Sequence, residues 1–127
     1  ARDLTGIWKT KISTENFPVN ILGETFAKVT NNVTMTLKQT GNTVTGTYAF
    51  HVVKTEYVKG TDVGYAPIDE EISITGKVSS THFTFTANNK NISGDFTFTT
   101  DLMQGTIKNL NDGFGFYTEQ NAVKVSR

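Results

Sequence analysis

The sequence predicts an all-β protein: one domain over residues 1–127, built as an eight-stranded antiparallel up-and-down β-barrel. Three observations carry this. Apolar and polar residues alternate with period two through most of the chain, as strands with one dry face require. Short turn-forming clusters separate the alternating runs at near-regular spacing, the pattern of a meander. Glycines recur on the inward parity of the strands, at Gly6, Gly46, Gly76, Gly94 and Gly105. A glycine inside a strand marks a bend or a close approach of backbone, and five on one face suit a wall that coils shut.

Composition points the same way. Threonine is the commonest residue, nine Phe are present and Pro occurs only twice; Thr and Phe are strand formers. Lys plus Arg equals Asp plus Glu, at 12 each. The chain therefore lacks the basic footprint of a nucleic-acid binder, and no nucleic-acid partner is expected. No apolar run approaches the roughly 20 residues of a membrane-spanning helix, so no membrane span is expected. The absence of cysteine excludes disulfides, thiolate catalysis and cysteine-ligated zinc together. The chain opens at Ala1 rather than Met, as after signal-peptide removal. A secreted or periplasmic protein is one expectation, and a trimmed chain is the equal alternative. Asn32-Val33-Thr34 and Asn91-Ile92-Ser93 fit the glycosylation sequon, a triplet that an Asn- and Thr-rich chain also produces by chance.

Residues 4–12 read as the first strand, with Leu4, Gly6, Trp8, Thr10 and Ile12 on one face. Residues 16–29 are mixed. Phe17, Val19 and Ile21 alternate, whereas Leu22, Phe26 and Val29 stand at i, i+4 and i+7, the spacing of a helix. Pro18 suits a first helical position. The expectation is a loop with a short helix within residues 17–29.

Residues 32–53 are the clearest stretch. Val33, Met35 and Leu37 oppose Thr34, Thr36 and Lys38; after Thr40-Gly41-Asn42, Val44, Gly46, Tyr48, Phe50 and Val52 share one face. This is an antiparallel hairpin with one dry side. Residues 54–69 contain Tyr57, Gly60, Gly64, Tyr65 and Pro67 and read as a long loop. Such connections in compact domains often serve as lids, which makes Tyr57 and Tyr65 candidate lid residues; an ordinary surface loop or an extended hairpin end is the plainer alternative.

The meander then resumes. Ile72, Ile74, Gly76 and Val78 face inward, then Phe83, Phe85 and Ala87, then Ile92, Gly94, Phe96 and Phe98, then Met103, Gly105 and Ile107. The last segment, 114–125, carries Phe114 and Phe116, then Val123 and Val125. The opposite parity is Thr, Ser, Lys and His almost throughout, which suits a water-facing monomer better than broad barrel-to-barrel packing; a monomer or a small homo-oligomer is expected.

A barrel of eight strands is just wide enough to be filled by side chains or to hold one small ligand. An empty lumen forfeits packing, so the end near Trp8 is expected to be packed, with any pocket at the opposite end. Candidate ligand-lining residues are Tyr48, Phe50, Phe83, Phe85, Phe96, Phe98 and Phe116, an apolar wall with one polar handle. For any single one of these side chains, plain core is the simpler reading.

Two stretches carry a family resemblance. Leu4-Thr5-Gly6-Ile7-Trp8 resembles the opening of avidins, and its Gly-x-Trp is similar to the first-strand signature of lipocalins and fatty-acid-binding proteins. Val44-Thr45-Gly46-Thr47-Tyr48 is similar to the third avidin strand. The resemblance implies a calycin-type barrel, with Trp8 at the closed end beneath a basic residue of the last strand, for which Lys124 or Arg127 is available. The departures bear on function. Avidins line the biotin site with several tryptophans, and Trp8 is the only one here. Thr10 stands where an Asn is expected and Phe50 where a Thr is expected, leaving Tyr48 as the one ligand-facing hydroxyl that carries over. Glu15-Asn16-Phe17 resembles the start of fatty-acid-binding proteins, but the Arg-x-Tyr that grips a carboxylate in that family is missing.

His51 and His82 fall on the outward parity, with no carboxylate or second His at ligand spacing, and no metal site is expected. Asp69-Glu70-Glu71 could bind calcium with loop oxygens, but reads better as a solvated strand end. No nucleophile elbow, phosphate loop or dinucleotide fingerprint occurs, and no cofactor is implied. The leading expectation is a non-enzymatic barrel that binds a small apolar or amphipathic molecule at its open end. The alternatives are an interaction module that uses its loops on another protein, and a barrel enzyme of the lyase or cyclase type, which needs an inward polar pair.

Overall fold

A computed structural model of the chain describes residues 3–18, 26–59, 69–88, 90–111 and 116–127. Eight strands follow one another: β1 (Gly6–Pro18), β2 (Phe26–Thr40), β3 (Thr43–Lys59), β4 (Glu70–Ser79), β5 (His82–Ala87), β6 (Ile92–Phe98), β7 (Leu102–Asn111) and β8 (Phe116–Ser126). Each pairs antiparallel with the next, and the order β1 to β8 closes on itself. The seam is thin: Lys9 of β1 faces Ser126 of β8, and Thr10 Oγ1 donates to the Lys124 carbonyl at 2.7 Å.

Alternation dictates this arrangement. In β4 and β5 every second residue is buried and the rest are exposed, so a shift of one residue would turn each dry face to water. All eight strands contribute buried residues to one main cluster, which includes Trp8, Met35, Tyr48, Ile74, Phe83, Phe96, Met103 and Val125.

The glycines admit the curl. A Cβ on Gly46 would overlap the Thr36 carbonyl of β2, and one on Gly94 would overlap the Phe85 ring. β8 bends at a bulge where Gly105 faces Val123 but Ile107 faces Gln120. Ala122 lies there at φ 56°, in the left-handed region.

Two expectations are corrected. There is no helix at either end of 17–29: Phe17 and Pro18 end β1, and residues 26–29 begin β2. Residues 19–25 lie outside the described ones. Phe17 faces Ala27 and Pro18 faces Phe26, so cross-strand pairing overrides the local i, i+4, i+7 spacing. Nor is 54–69 a loop from its start: β3 continues to Lys59, so the extended-hairpin alternative holds over 54–59. The misleading signal is Val52-Val53, where the simple alternation breaks. Asn31 faces Val52 and Thr30 faces Lys54, which leaves Val53 as the extra residue of a bulge. The inward parity then passes from even to odd numbers, and the strand goes on.

As a consequence, the barrel wall has an uneven rim. Pairing of β3 with β4 ends at Phe50 opposite Glu70. Beyond it, among the described residues, the ends of β1, β2 and β3 run on together as a three-stranded extension. Ala27 and Val29 are buried there against Phe17, Val52 and Tyr57 in a second, smaller cluster.

Candidate functional site

The end of the barrel that carries the β2–β3, β4–β5 and β6–β7 turns is sealed. Adjacent turns are tied by backbone hydrogen bonds, from Val78 N to the Asn42 carbonyl and from Phe98 N to the Thr81 carbonyl, each 2.8 Å. Trp8 is fully buried, and its indole Nε1 donates to the Leu4 carbonyl at 2.8 Å. Of the two basic residues considered for the cap, Arg127 lies over the Trp8 ring, 4.4 Å from its centroid, while Lys124 is exposed. The guanidinium donates to the carbonyls of Thr5, Asp3 and Thr100 at 2.8–2.9 Å. Gly6, at φ 138°, takes a conformation that side chains disfavour, and its missing Cβ faces Arg127 Nη1.

Above this cap the interior is aromatic. Phe83, Phe96 and Phe98 are 0–1% exposed. Phe85 stacks on Phe96, with ring centroids 6.2 Å apart and planes 9° from parallel. It also meets Phe83 at 5.6 Å and Tyr48 at 6.0 Å. Phe50 continues the chain of rings at 6.4 Å from Tyr48 and is only half-buried. Tyr48 is the polar member of this wall. It is 4% exposed, and its hydroxyl has no hydrogen-bond partner among the described residues. Burial pushes its phenol well above the ordinary value of 10.0, so the group stays protonated, a donor set in apolar surroundings.

Toward the other end a second polar group faces inward. Asn31 shares the parity of Ala27, Val29, Val33 and Met35. It stands between Ile12 on β1 and Val52 on β3, where the main core gives way to the smaller cluster. Its Oδ1 is buried and accepts no hydrogen bond. An orphaned acceptor of this kind costs about 1–3 kcal/mol. Nearby, the inward residues Ile12, Thr14 and Ile72 keep 8–9% exposure, above the near-zero values around Trp8.

The outer face is more structured than spacing implied. His51 Nδ1 lies 2.7 Å from Asp69 Oδ2, and His82 Nε2 lies 2.5 Å from Asp95 Oδ1. The expectation of histidines without a carboxylate partner is thereby corrected: both partners sit on a neighbouring chain segment, at separations that a search along one strand does not cover. A surface groove of about 470 Å³ is lined by Asn32, Thr34, Phe50, His51 and the run Asp69-Glu70-Glu71. No group of three or more His, Asp or Glu that could hold a metal occurs among the described residues.

The candidate wall residues Tyr48, Phe83, Phe85, Phe96 and Phe98 thus converge in one cluster, with Phe50 packed against it. Tyr57 belongs to the smaller cluster of the extension rather than to a loop. Tyr65 and the side chain of Phe116 lie outside the described residues. Asn31 was missed from the sequence. Its signal was an Asn in the apolar phase of Val29-x-Asn31-x-Val33, hidden because residues up to Val29 read as loop.

Fold and interior together define an eight-stranded up-and-down barrel with an aromatic lining. Comparison with protein-family models, curated proteins and solved structures gave no match, so the functional reading rests on this geometry.

Proposed function

We propose that the protein is a calycin-like, lipocalin- or avidin-like binding barrel that holds a small apolar or amphipathic molecule at its mouth, without catalysing a reaction. The observation that carries the reading is Asn31, whose inward, buried Oδ1 has no hydrogen-bond partner, on the same interior face as the aromatic wall that runs from Tyr48 to the half-buried Phe50. Buried polar groups are nearly always hydrogen-bonded, and ligand pockets combine apolar walls with a few such handles. The sealed Trp8–Arg127 end suits a site entered from one side only. Native mass spectrometry and titration with the neutral fluorophore phenylnaphthylamine test it. Saturable binding, displaced by apolar competitors and weakened by Phe50→Ala, is expected; a protein that takes up no apolar probe contradicts it.

A second reading, a protein-interaction module, is favoured by one observation. Val53 and Val58, both on β3 of the extension, are 43% and 53% exposed, and a partner that covered both would bury that apolar surface. Loss of a captured partner on Val53→Thr plus Val58→Thr, with probe binding unchanged, would favour it.

A further inference from the structure

We infer that the ligand held by the barrel is an elongated molecule with a hydrogen-bonding group at each end and an apolar middle, clasped between Asn31 at the mouth and Tyr48 deeper inside. The inference rests on the binding reading above and specifies the ligand's chemistry.

Asn31 Oδ1 and the Tyr48 hydroxyl both lack described partners, and both residues lie on inward parities of neighbouring strands. Tyr48 faces Met35 across the β2–β3 ladder. Met35 lies four residues along β2 from Asn31, which is about 13 Å at the rise of a strand. The inward residues between them are Val33 and Phe50, which face each other in the same ladder and offer no polar side-chain atom. The two polar positions are therefore separated by an apolar stretch, and one small polar molecule cannot serve both. The direct flanks of Asn31, Ile12 and Val52, provide no side-chain donor; the inward hydroxyl of Thr14 stands one step further on, opposite Val29, and a lone water would want two to four polar partners. Oδ1 accepts only, so the outer end of the ligand carries an O–H or N–H. The protonated Tyr48 hydroxyl donates or accepts, so the inner end can be a hydroxyl, ether or carbonyl oxygen. A carboxylate at the inner end is disfavoured, because no described cation faces that depth and a buried charge without a partner is costly.

A thermodynamic cycle tests the clasp. Octane and octanediol with hydroxyls at both ends are measured as competitors of phenylnaphthylamine on the wild type, Asn31→Leu and Tyr48→Phe. Each lost hydrogen bond is worth roughly a factor of two to ten. Each variant should therefore weaken octanediol about fivefold while octane binds as tightly as before. Variants that change both competitors alike, or neither, overturn the clasp and leave the apolar site standing. Absence of probe, octane and octanediol binding to the wild type overturns the binding reading itself, and the clasp with it.

Discussion

The guanidinium of Arg127 sits 4.4 Å from the centre of the Trp8 ring and bonds three backbone carbonyls, of Thr5, Asp3 and Thr100. One side chain thus ties together the lead into β1, the turn between β6 and β7, and the end of β8. The β1–β8 seam is short, with Lys9 facing Ser126, and this cap reinforces the closure. Arg127→Ala should lower unfolding stability by about 2 kcal/mol. Arg127→Lys should recover less than half, since an ammonium cannot reproduce the planar fork. Denaturant midpoints, with Trp8 emission as the probe, measure both.

Two glycines respond differently to a methyl group. The Cβ of Gly94→Ala meets the ring of Phe85, whereas that of Gly46→Ala meets the Thr36 backbone carbonyl. Gly94→Ala should cost about 1–3 kcal/mol, with part recovered by adding Phe85→Leu. Gly46→Ala should cost about 3 kcal/mol or more, with no side chain to trim in compensation. Thermal unfolding of the three variants separates the cases.

Burial raises the Tyr48 phenol above its ordinary value of 10.0. The unfolded chain then releases this proton from about pH 10 upward while the folded chain keeps it. With fewer protons bound in the unfolded state, stability falls as pH rises, by up to about 1.4 kcal/mol per pH unit. Below pH 10 the contribution is fully present. Tyr48→Phe should flatten the decline between pH 10 and 11, read by denaturant titration at each pH against the wild type.

Asn31 carries a buried oxygen without a partner. Asn31→Leu, which conserves shape, should raise the stability of the unliganded protein by about 1 kcal/mol. A wild type already satisfied at that position would lose stability instead. Differential scanning calorimetry gives the sign.

Val29 is buried in the smaller cluster of the extension, apart from the main core. Val29→Ala removes about 1.5 kcal/mol of apolar burial, and the loss should be local. Amides at the ends of β1, β2 and β3 should exchange faster with deuterium, while those of β5 and β6 keep their rates.

The barrel itself was legible because period-two alternation leaves one reading for each strand. Strands with clean patterns, such as 72–78 and 83–87, appear in the structure with the faces their residues imply. Legibility failed where the period broke. The bulge at Val53 shifted the parity of β3, and strand pairing took over the helical spacing in 17–29. Of the candidate site, the aromatic wall followed from inward parity, whereas Asn31 fell in a stretch whose strand character depends on its neighbours.

By itself the sequence determined which residues face inward wherever the alternation is unbroken, that the strands form a meander, and that Trp8 and the aromatics share an interior, since these follow from side-chain alternation along single segments. Tertiary structure alone decided that Arg127 rather than Lys124 caps Trp8, that each histidine meets an aspartate, and that Asn31 and Tyr48 stand along one wall as groups without described partners. Those relations join residues on different strands, and register, bulge and twist set them, which no reading along a single segment contains.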